Sequence, residues 1–253
     1  MRHLELFAGI GGFRRAMDLL TQDHIMDFHC IGYSEIDAKA VKTYCANYHP
    51  EVDGELAMGD IVEFTSNKNN MDNLPQFDLV TGGFPCQTFS MMGKQAGFNE
   101  DRGQMFFHII DILAAKMPRY VLLENVKNLK SHDKGRTFAR IKQELEALGY
   151  QVFTDIFNTA QFHLPQTRNR LLIFATTEPV PADFEVQFTC DNIAVLFDQV
   201  YQDLGTYHYQ SVNDILSLEV DKKYFLSEKI KPTLLADGSA NFKSKSDINM
   251  SIA

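Results

Sequence analysis

A cysteine and a glutamate each follow a short apolar run, and their side chains could act as a nucleophile and a proton donor. Cys86 comes after residues 78–85, where an apolar run is followed by two glycines and by Pro85, which fixes the backbone just before the cysteine. Glu124 comes directly after the apolar residues 120–123. Both runs predict buried strands of a parallel sheet, and open α/β sheets bind ligands at the carboxyl ends of their strands. We therefore expect a thiol and a carboxyl group at one edge of a sheet.

Cys86 also has a purely structural interpretation. Most lone cysteines are buried packing residues, so both roles stay open for Cys86 at this point. Burial among apolar neighbours favours the protonated form of Glu124, because desolvation disfavours the charge. Gly82 and Gly83 allow the backbone either to turn or to approach a ligand closely.

Residues 4–17 have the pattern of a strand, a glycine turn and a helix. The turn contains Gly9, Gly11 and Gly12, which would let a ligand lie against the backbone beside the free N–H groups of a helix N-terminus. The spacing does not match the six-residue dinucleotide pattern, so NAD is not indicated. A tight connection between strand and helix is the alternative.

Two further carboxylates follow predicted strands. Glu35 comes after the strand predicted for residues 28–34, where a carboxylate can accept hydrogen bonds from both ribose hydroxyls of a nucleoside. The alternative for Glu35 is a charge at a helix N-terminus, although Asp37 is better placed to cap that helix. Asp60 follows the short run 56–58 and could accept from an adenine amino group, or could simply occupy a turn.

The remaining pattern predicts the elements that must position these residues. Apolar periodicity predicts helices over residues 38–48, 104–116, 136–148 and 211–216, and a strand over 171–174. A surface loop is predicted for the polar residues 65–76, and a mobile active-site loop for residues 87–103 beside Cys86. A linker-like stretch at 178–181 and weakly patterned strands are expected after residue 176.

The composition is that of a single main domain with a substantial core. The chain has 253 residues, of which 45% are apolar and 23% charged. It contains neither an apolar run long enough to span a membrane nor a signal-peptide pattern, which favours a cytoplasmic protein. The four cysteines show no paired spacing, so we expect reduced thiols and neither a disulfide framework nor a zinc site.

The net charge of −9 argues against unaided binding to nucleic acid, because phosphate contacts come from Lys and Arg. The charge is unevenly distributed. Residues 86–142 carry ten basic and five acidic side chains, whereas residues 177–253 carry six basic and twelve acidic ones. A basic face around Cys86 is one interpretation, and a solvated helix surface explains the same excess.

Four motifs occur in order along residues 3–176: Phe-Ala-Gly-x-Gly-Gly, Gly-Phe-Pro-Cys-Gln, Glu-Asn-Val and Gln-Thr-Arg-Asn-Arg. Together they resemble the DNA cytosine methyltransferases that modify ring carbon 5, of the bacterial restriction-modification type. The resemblance implies a doubly wound, Rossmann-like α/β fold. It also implies double-stranded DNA as substrate, S-adenosylmethionine as methyl donor with S-adenosylhomocysteine as product, and no metal. Such an enzyme would be associated with the nucleoid when bound to DNA.

The same resemblance assigns catalytic roles. Cys86 would be the thiolate that adds to cytosine carbon 6, and Glu124 the acid that contacts and protonates ring nitrogen 3. Arg168 and Arg170 would bind the flipped cytosine and the adjacent DNA backbone; their alternation predicts that they share one face of a strand. Without the motif, a solvated strand edge would explain both arginines. Because the target base is stacked in the duplex, it would have to be extruded into the site, where the loop 87–103 would close over it.

The resemblance also assigns the cofactor site. The methionine side would be held by Phe7, Gly9, Gly11 and Gly12, the ribose by Glu35 and the adenine by Asp60 and Ile61, with Pro85 close by. Ile36 stands where the family pattern has an aromatic residue that stacks on adenine, so the stacking should be weaker here.

The family pattern continues through a target-recognition domain and closing motifs that the sequence does not contain, including a Gly-Asn-Ser-Val helix. We therefore expect a catalytic and cofactor-binding domain over residues 1–178 and a connector over 179–253. We expect this chain to be one part of a split enzyme, or a fragment of a longer one, with DNA recognition supplied by a second polypeptide. Apolar surface should then be exposed near the first strand and helix. Alternatives are a tRNA cytosine methyltransferase, although these carry Pro-Pro-Cys where residues 84–86 read Phe-Pro-Cys, and a non-catalytic cofactor-binding subunit.

Overall fold

One sheet of seven strands organises the part of the chain described by the computed structural model, which covers residues 1–85 and 105–204 together with Glu219 and Asp221. The strands are β1 (Arg2–Leu6), β2 (His29–Ser34), β3 (Leu56–Ala57), β4 (Leu79–Gly83), β5 (Tyr120–Val126), β6 (Gln151–Asn158) and β7 (Asn169–Thr176). Their order across the sheet is β3-β2-β1-β4-β5-β7-β6. The first five pair in parallel, whereas β7 lies antiparallel between β5 and β6. The carboxyl ends of β1, β2, β4 and β5 therefore meet at one edge.

Helices lie between successive strands from β1 to β6, where parallel neighbours need a crossover connection, and two more helices follow β7. The helices are α1 (Gly12–Gln22), α2 (Ala38–Tyr48), α3 (Pro50–Asp53), α4 (Ile61–Ser66), α5 (Lys68–Asn73), α6 (Met105–Lys116), α7 (Arg136–Ala147), α8 (Phe184–Gln187) and α9 (Cys190–Leu204). None of these described helices is long and apolar enough to cross a membrane.

The alternation of side chains along β1 shows that both faces of the sheet are covered. Leu4 and Leu6 are fully buried in the larger apolar cluster, which includes residues of α4, α6 and α7. His3 and Glu5 are buried as well, and Glu5 bonds to the first turn of α1. Helices on both faces of a mainly parallel sheet make this a doubly wound α/β fold, which confirms the predicted class.

The predicted surface loop over residues 65–76 is wrong, because the end of α4 and the whole of α5 lie there. The Asn67 side chain accepts a hydrogen bond of 3.0 Å from the Asn69 N–H and so caps α5. Leu74, at the end of α5, is only 2% exposed. A local cap and one apolar anchor therefore order a polar segment whose composition suggested a loop.

The weakly patterned strands expected after residue 176 are also wrong, since the structure has α8 and α9 there. Aromatic rings join these helices to the sheet: Phe184 lies 5.7 Å from Phe174, and Phe188 lies 5.6 Å from Phe157, between ring centroids. Strand β6, which carries Phe157, was not predicted. Pairing with β7 on one side provides the hydrogen bonds for β6, and that pairing is not visible in its own sequence.

The chain divides into two compact units, Met1–Gln210 and Ser211–Ala253, and the sheet lies in the first. The predicted boundary at residue 178 stays a prediction. The helix predicted for residues 211–216 and the loop predicted for 87–103 lie outside the described residues.

Candidate active site

The turn after β1 is built from left-handed backbone. Phe7 has φ 54°, Gly9 has φ 58°, and Gly11, the residue before α1, has φ 88°. A Cβ atom at Gly11 would lie 2.2 Å from a ring carbon of Tyr48, whose hydroxyl donates a 2.7 Å hydrogen bond to the Gly11 carbonyl. Gly11 is therefore required by the packing of the protein itself.

Gly9 and Gly12 differ from Gly11, because a Cβ atom at either would meet none of the described residues within 4 Å. Gly12 opens α1, and its φ is not in the left-handed region. The protein thus leaves open space in front of this backbone, and a groove of about 530 Å³ lined by Ile10, Arg15 and Tyr48 runs beside it. A ligand that approaches the free N–H groups of a helix N-terminus fits this arrangement.

Glu35 follows β2 and ties the glycine turn to the start of the next helix. Its Oε2 atom accepts from Gly9 N–H at 2.8 Å, and its Oε1 atom accepts from the N–H groups of Ile36 and Asp37, both at 2.8 Å. A carboxylate offers about four acceptor positions, so the backbone occupies three of them. The position that remains is on Oε2, which suits one hydroxyl; accepting two, as the sequence predicts, would require one backbone bond to give way.

Asp37 and Asp60 are both helix caps. Asp37 accepts from two N–H groups in the first turn of α2, which confirms its predicted role. Asp60 accepts from Val62 N–H at 2.8 Å through Oδ1, while its Oδ2 atom bonds to none of the described residues. Asp60 thus caps α4 rather than occupying a plain turn, and its second oxygen stays available for the predicted adenine contact.

The two isoleucines predicted at the cofactor site differ in exposure. Ile36 is 73% exposed and could lie against a flat ligand, although it lacks a ring. Ile61 is only 2% exposed and belongs to the main core. Any contact from Ile61 to a ligand would therefore use its backbone N–H, at the first position of α4.

Glu5 is a candidate positioning residue that the sequence reasoning missed. It lies in β1 with 1% exposure, and its Oε1 atom accepts from Phe13 N–H in the first turn of α1 at 3.1 Å. Burial raises the pKa of Glu5 to about 7, against the opposing influence of the N–H donors and the Arg14 charge. The signal in the sequence was an acid inside an otherwise apolar strand, directly before the glycine turn.

At the other end of the same sheet edge, Glu124 forms an ion pair with Arg170, with 2.6 Å between Oε1 and Nε. About a quarter of each side chain is exposed. Glu124 thus has a guanidinium beside it in addition to the apolar residues that precede it in β5. Antiparallel pairing places Arg170 opposite Val126, two residues beyond Glu124, so the guanidinium reaches the carboxylate across β5 and β7.

Arg168 does not share this pairing. It precedes β7 and is exposed, and its backbone exchanges hydrogen bonds with Thr159, at 3.1 Å in both directions. No ion pair joins Arg168 to a carboxylate in the part of the chain that the structure describes. Of the two predicted arginines, the structure brings Arg170 to Glu124.

The chain leading to Cys86 comes close to Glu124 through β4. Gly83 pairs with Glu124 in the β4–β5 ladder, and a Cβ atom at Gly83 would lie 3.2 Å from Glu124 Oε2. Gly82 and Gly83 are therefore part of a strand rather than a turn. Pro85, which is exposed, is the last described residue before the gap, and Cys86 lies outside the described residues.

Comparison with solved structures places the fold among methyltransferases. The Dnmt2 methyltransferase of S. pombe superposes with a TM-score of 0.65 at 22% sequence identity, over 92% of this chain and 65% of that one. At this identity the likeness concerns the fold alone.

Sequence comparison defines the family. The model of the C-5 cytosine-specific DNA methylases matches residues 1–252, so the chain belongs to that family. The type II methyltransferase M.NlaX of Neisseria lactamica is 38% identical over 227 residues, covering 90% of this chain and 63% of that protein. M.BanI of Aneurinibacillus aneurinilyticus is 37% identical over 238 residues, covering 90% and 51%. The chain thus spans about half the length of the curated relatives it matches.

Proposed function

We propose that this chain is the catalytic part of a DNA cytosine-5 methyltransferase of the restriction-modification type, acting on a cytosine flipped out of double-stranded DNA. The observation that carries the proposal is the Glu124–Arg170 pair, held at 2.6 Å at the edge where β4 leads towards Cys86. An acid and a guanidinium there can hold the polar edge of a pyrimidine while a thiol attacks its ring.

The proposed chemistry proceeds through a covalent adduct. The Cys86 thiolate forms a bond to cytosine carbon 6, and Glu124 donates a proton to ring nitrogen 3, so that electron density moves to carbon 5. Bound S-adenosylmethionine would supply the electrophilic methyl group that carbon 5 takes up, with S-adenosylhomocysteine as the leaving group. A base then removes the proton from carbon 5, the bond to Cys86 breaks and returns the thiolate, and ring nitrogen 3 gives its proton back to Glu124. Arg170 keeps Glu124 oriented toward the ring, and the whole sequence needs no metal.

The cofactor would lie against the glycine turn. Gly9 and Gly12 leave the space for its methionine side beside Phe7, and the open acceptor position of Glu35 suits one ribose hydroxyl. Asp60 Oδ2 and the Ile61 N–H offer the acceptor and donor that an adenine edge needs.

A second polypeptide would complete the enzyme by carrying the target-recognition domain and the closing motifs. Exposed apolar side chains near the first two strand–helix units support this: Ile10 is 61% exposed and Val52 is 77% exposed. The net charge of −9 also calls for a basic partner to hold DNA. Such a complex would work in the cytoplasm, associated with the nucleoid when bound to DNA.

Trapping the covalent intermediate tests this proposal. The chain, alone and with candidate partner chains, is incubated with S-adenosylmethionine and duplex DNA that carries 5-fluorocytosine, because fluorine at carbon 5 cannot leave as the proton does. We expect a stable protein–DNA adduct at Cys86 by mass spectrometry, and none with Cys86→Ala, although that variant should still bind S-adenosylmethionine.

Parallel reactions with tRNA separate the alternatives. Methyl transfer to tRNA and not to DNA would favour a tRNA enzyme, and cofactor binding without transfer to either substrate would favour a non-catalytic subunit. An adduct that survives Cys86→Ala would contradict the role of the thiol.

A further inference from the structure

Asn125 connects two segments of the catalytic edge through its side chain. It is 2% exposed, and its Nδ2 atom donates a 2.8 Å hydrogen bond to the carbonyl of Phe84. Its Oδ1 atom accepts from Val126 N–H at 2.9 Å. Both ends of the amide are thus engaged, which fixes its orientation.

The bond begins where the backbone ladder ends. The last residues paired between β4 and β5 are Gly83 and Glu124. One residue further along each strand, the Asn125 side chain takes over from the backbone and holds Phe84. The Phe84 ring is itself anchored, since it is 3% exposed and lies 5.6 Å from the Phe106 ring between centroids.

We propose that Asn125 is a positioning residue for the methyl-transfer reaction: it fixes the chain that leads to Cys86 relative to Glu124. The inference rests on the proposed function, in which the thiol and the acid act on opposite atoms of one six-membered ring. Such a pair tolerates little displacement, because an error of about 1 Å in the position of reacting groups can cost about 10²-fold in rate. Backbone pairing alone ends two residues before the proline that precedes the thiol.

The kinetic test compares three variants in single-turnover methyl transfer, with any required partner present. Asn125→Ala should lower the rate roughly 10- to 100-fold and change the KM for S-adenosylmethionine by less than about twofold. Asn128→Ala is the matched control, because Asn128 is exposed three residues further along, and it should leave both values unchanged.

Asn125→Asp gives a readout that a general packing role would not. A protonated carboxyl group can donate to the Phe84 carbonyl, whereas an ionised one repels it. Relative to the unsubstituted chain, this variant should therefore recover activity as the pH falls towards and below about 5, where a buried Asp takes up a proton. Asn125→Ala should show no such recovery, and thermal melts at each pH verify that the variants are folded.

Hydrogen–deuterium exchange tests the role of Asn125 without requiring methyl-transfer activity. In Asn125→Ala, the amides of Gly83 and Phe84 should exchange at least several-fold faster, whereas the amides of α7 should not change. In the Asn128→Ala control, none of these amides should change. If the unsubstituted chain transfers no methyl group to any substrate, the proposed function fails and hydrogen exchange alone decides the role of Asn125. Unchanged exchange at Gly83 and Phe84, or an unchanged transfer rate in a folded Asn125→Ala variant, overturns the proposal.

Discussion

The two halves of the active edge are built in different ways. At the turn after β1, the proposed cofactor turn, the donors are backbone N–H groups and the conformation is left-handed at Phe7, Gly9 and Gly11. At the ends of β4, β5 and β7, the proposed catalytic edge, side chains from different strands meet, as in the Glu124–Arg170 pair. The cofactor turn depends mainly on the conformations that its backbone can adopt, and the catalytic edge depends on which strands lie next to each other.

This difference determines how each half should respond to substitution. A change at the cofactor turn should act through strain or space and alter binding or stability. A change at the catalytic edge should act through the distance between reacting groups and alter the rate. The following variants test that division, from the largest expected effect to the smallest.

Arg170→Ala should give the largest effect on turnover. It leaves Glu124 without the guanidinium that holds it, so methyl transfer should fall about 10²- to 10³-fold, while cofactor affinity stays within about twofold. Single-turnover rates and calorimetric titration measure the two quantities, and Arg136→Ala, which breaks an exposed ion pair with Asp133, is the control. If Arg170→Ala weakened cofactor binding instead, the two halves would not be separate.

Gly11→Ala should destabilise the protein by about 2 to 4 kcal/mol. The new methyl group would overlap the Tyr48 ring, and an L side chain is strained at φ 88°. Gly12→Ala is the matched control: it fills open space, so stability should hold while cofactor affinity drops. Urea unfolding and calorimetry separate the two results, and equal stability losses would contradict the division of roles between these glycines.

Glu35→Ala should weaken S-adenosylmethionine binding by about 1 to 3 kcal/mol, because a charged acceptor is lost and the Gly9 N–H is released. Asp37→Ala removes the neighbouring carboxylate, which only caps α2, and should cost about 1 kcal/mol of stability with no change in affinity. Isothermal titration calorimetry measures the S-adenosylmethionine affinity of both variants. If Glu35→Ala bound the cofactor as tightly as the unsubstituted chain, Glu35 would not be part of the cofactor site.

Glu5→Gln should change how stability depends on pH. Because burial raises the pKa of Glu5 to about 7 from 4.5, the folded state holds this proton more tightly than the unfolded state. The contribution of Glu5 is therefore fully present below about pH 4.5 and is lost as the pH rises through 7.

The Gln variant should thus gain about 2 to 3 kcal/mol relative to the unsubstituted chain between pH 5 and pH 8. Urea unfolding at several pH values measures this difference, with Glu63→Gln as the exposed control. If the difference in unfolding free energy between the two chains were the same at every pH, the pKa of Glu5 would not differ between the folded and unfolded states.

Local pattern was sufficient for much of the fold. The glycine turn, the α2 cap at Asp37, the helices over α6 and α7 and the strand end at Ser34 could all be predicted, because each depends on neighbours within a few residues. The strand end predicted at Glu124 is wrong, because β5 continues to Val126 through its pairing with β7. Helix α5 and the helices after β7 were missed for the same reason. Their order comes from the cap at Asn67 and from rings packed across the sheet, whereas their own composition is polar or unpatterned.

The sequence by itself determined which residues can do chemistry and at which strand ends they stand, because a motif fixes residue types and spacing. Only the tertiary structure decided that β7 runs antiparallel between β5 and β6, which brings Arg170 to Glu124 rather than leaving it at a solvated edge. It likewise decided that Asn125 holds the Phe84 carbonyl, 41 residues away in the chain. Strand order and register are set by burial summed over the whole sheet, and that sum is not available to any single stretch of sequence.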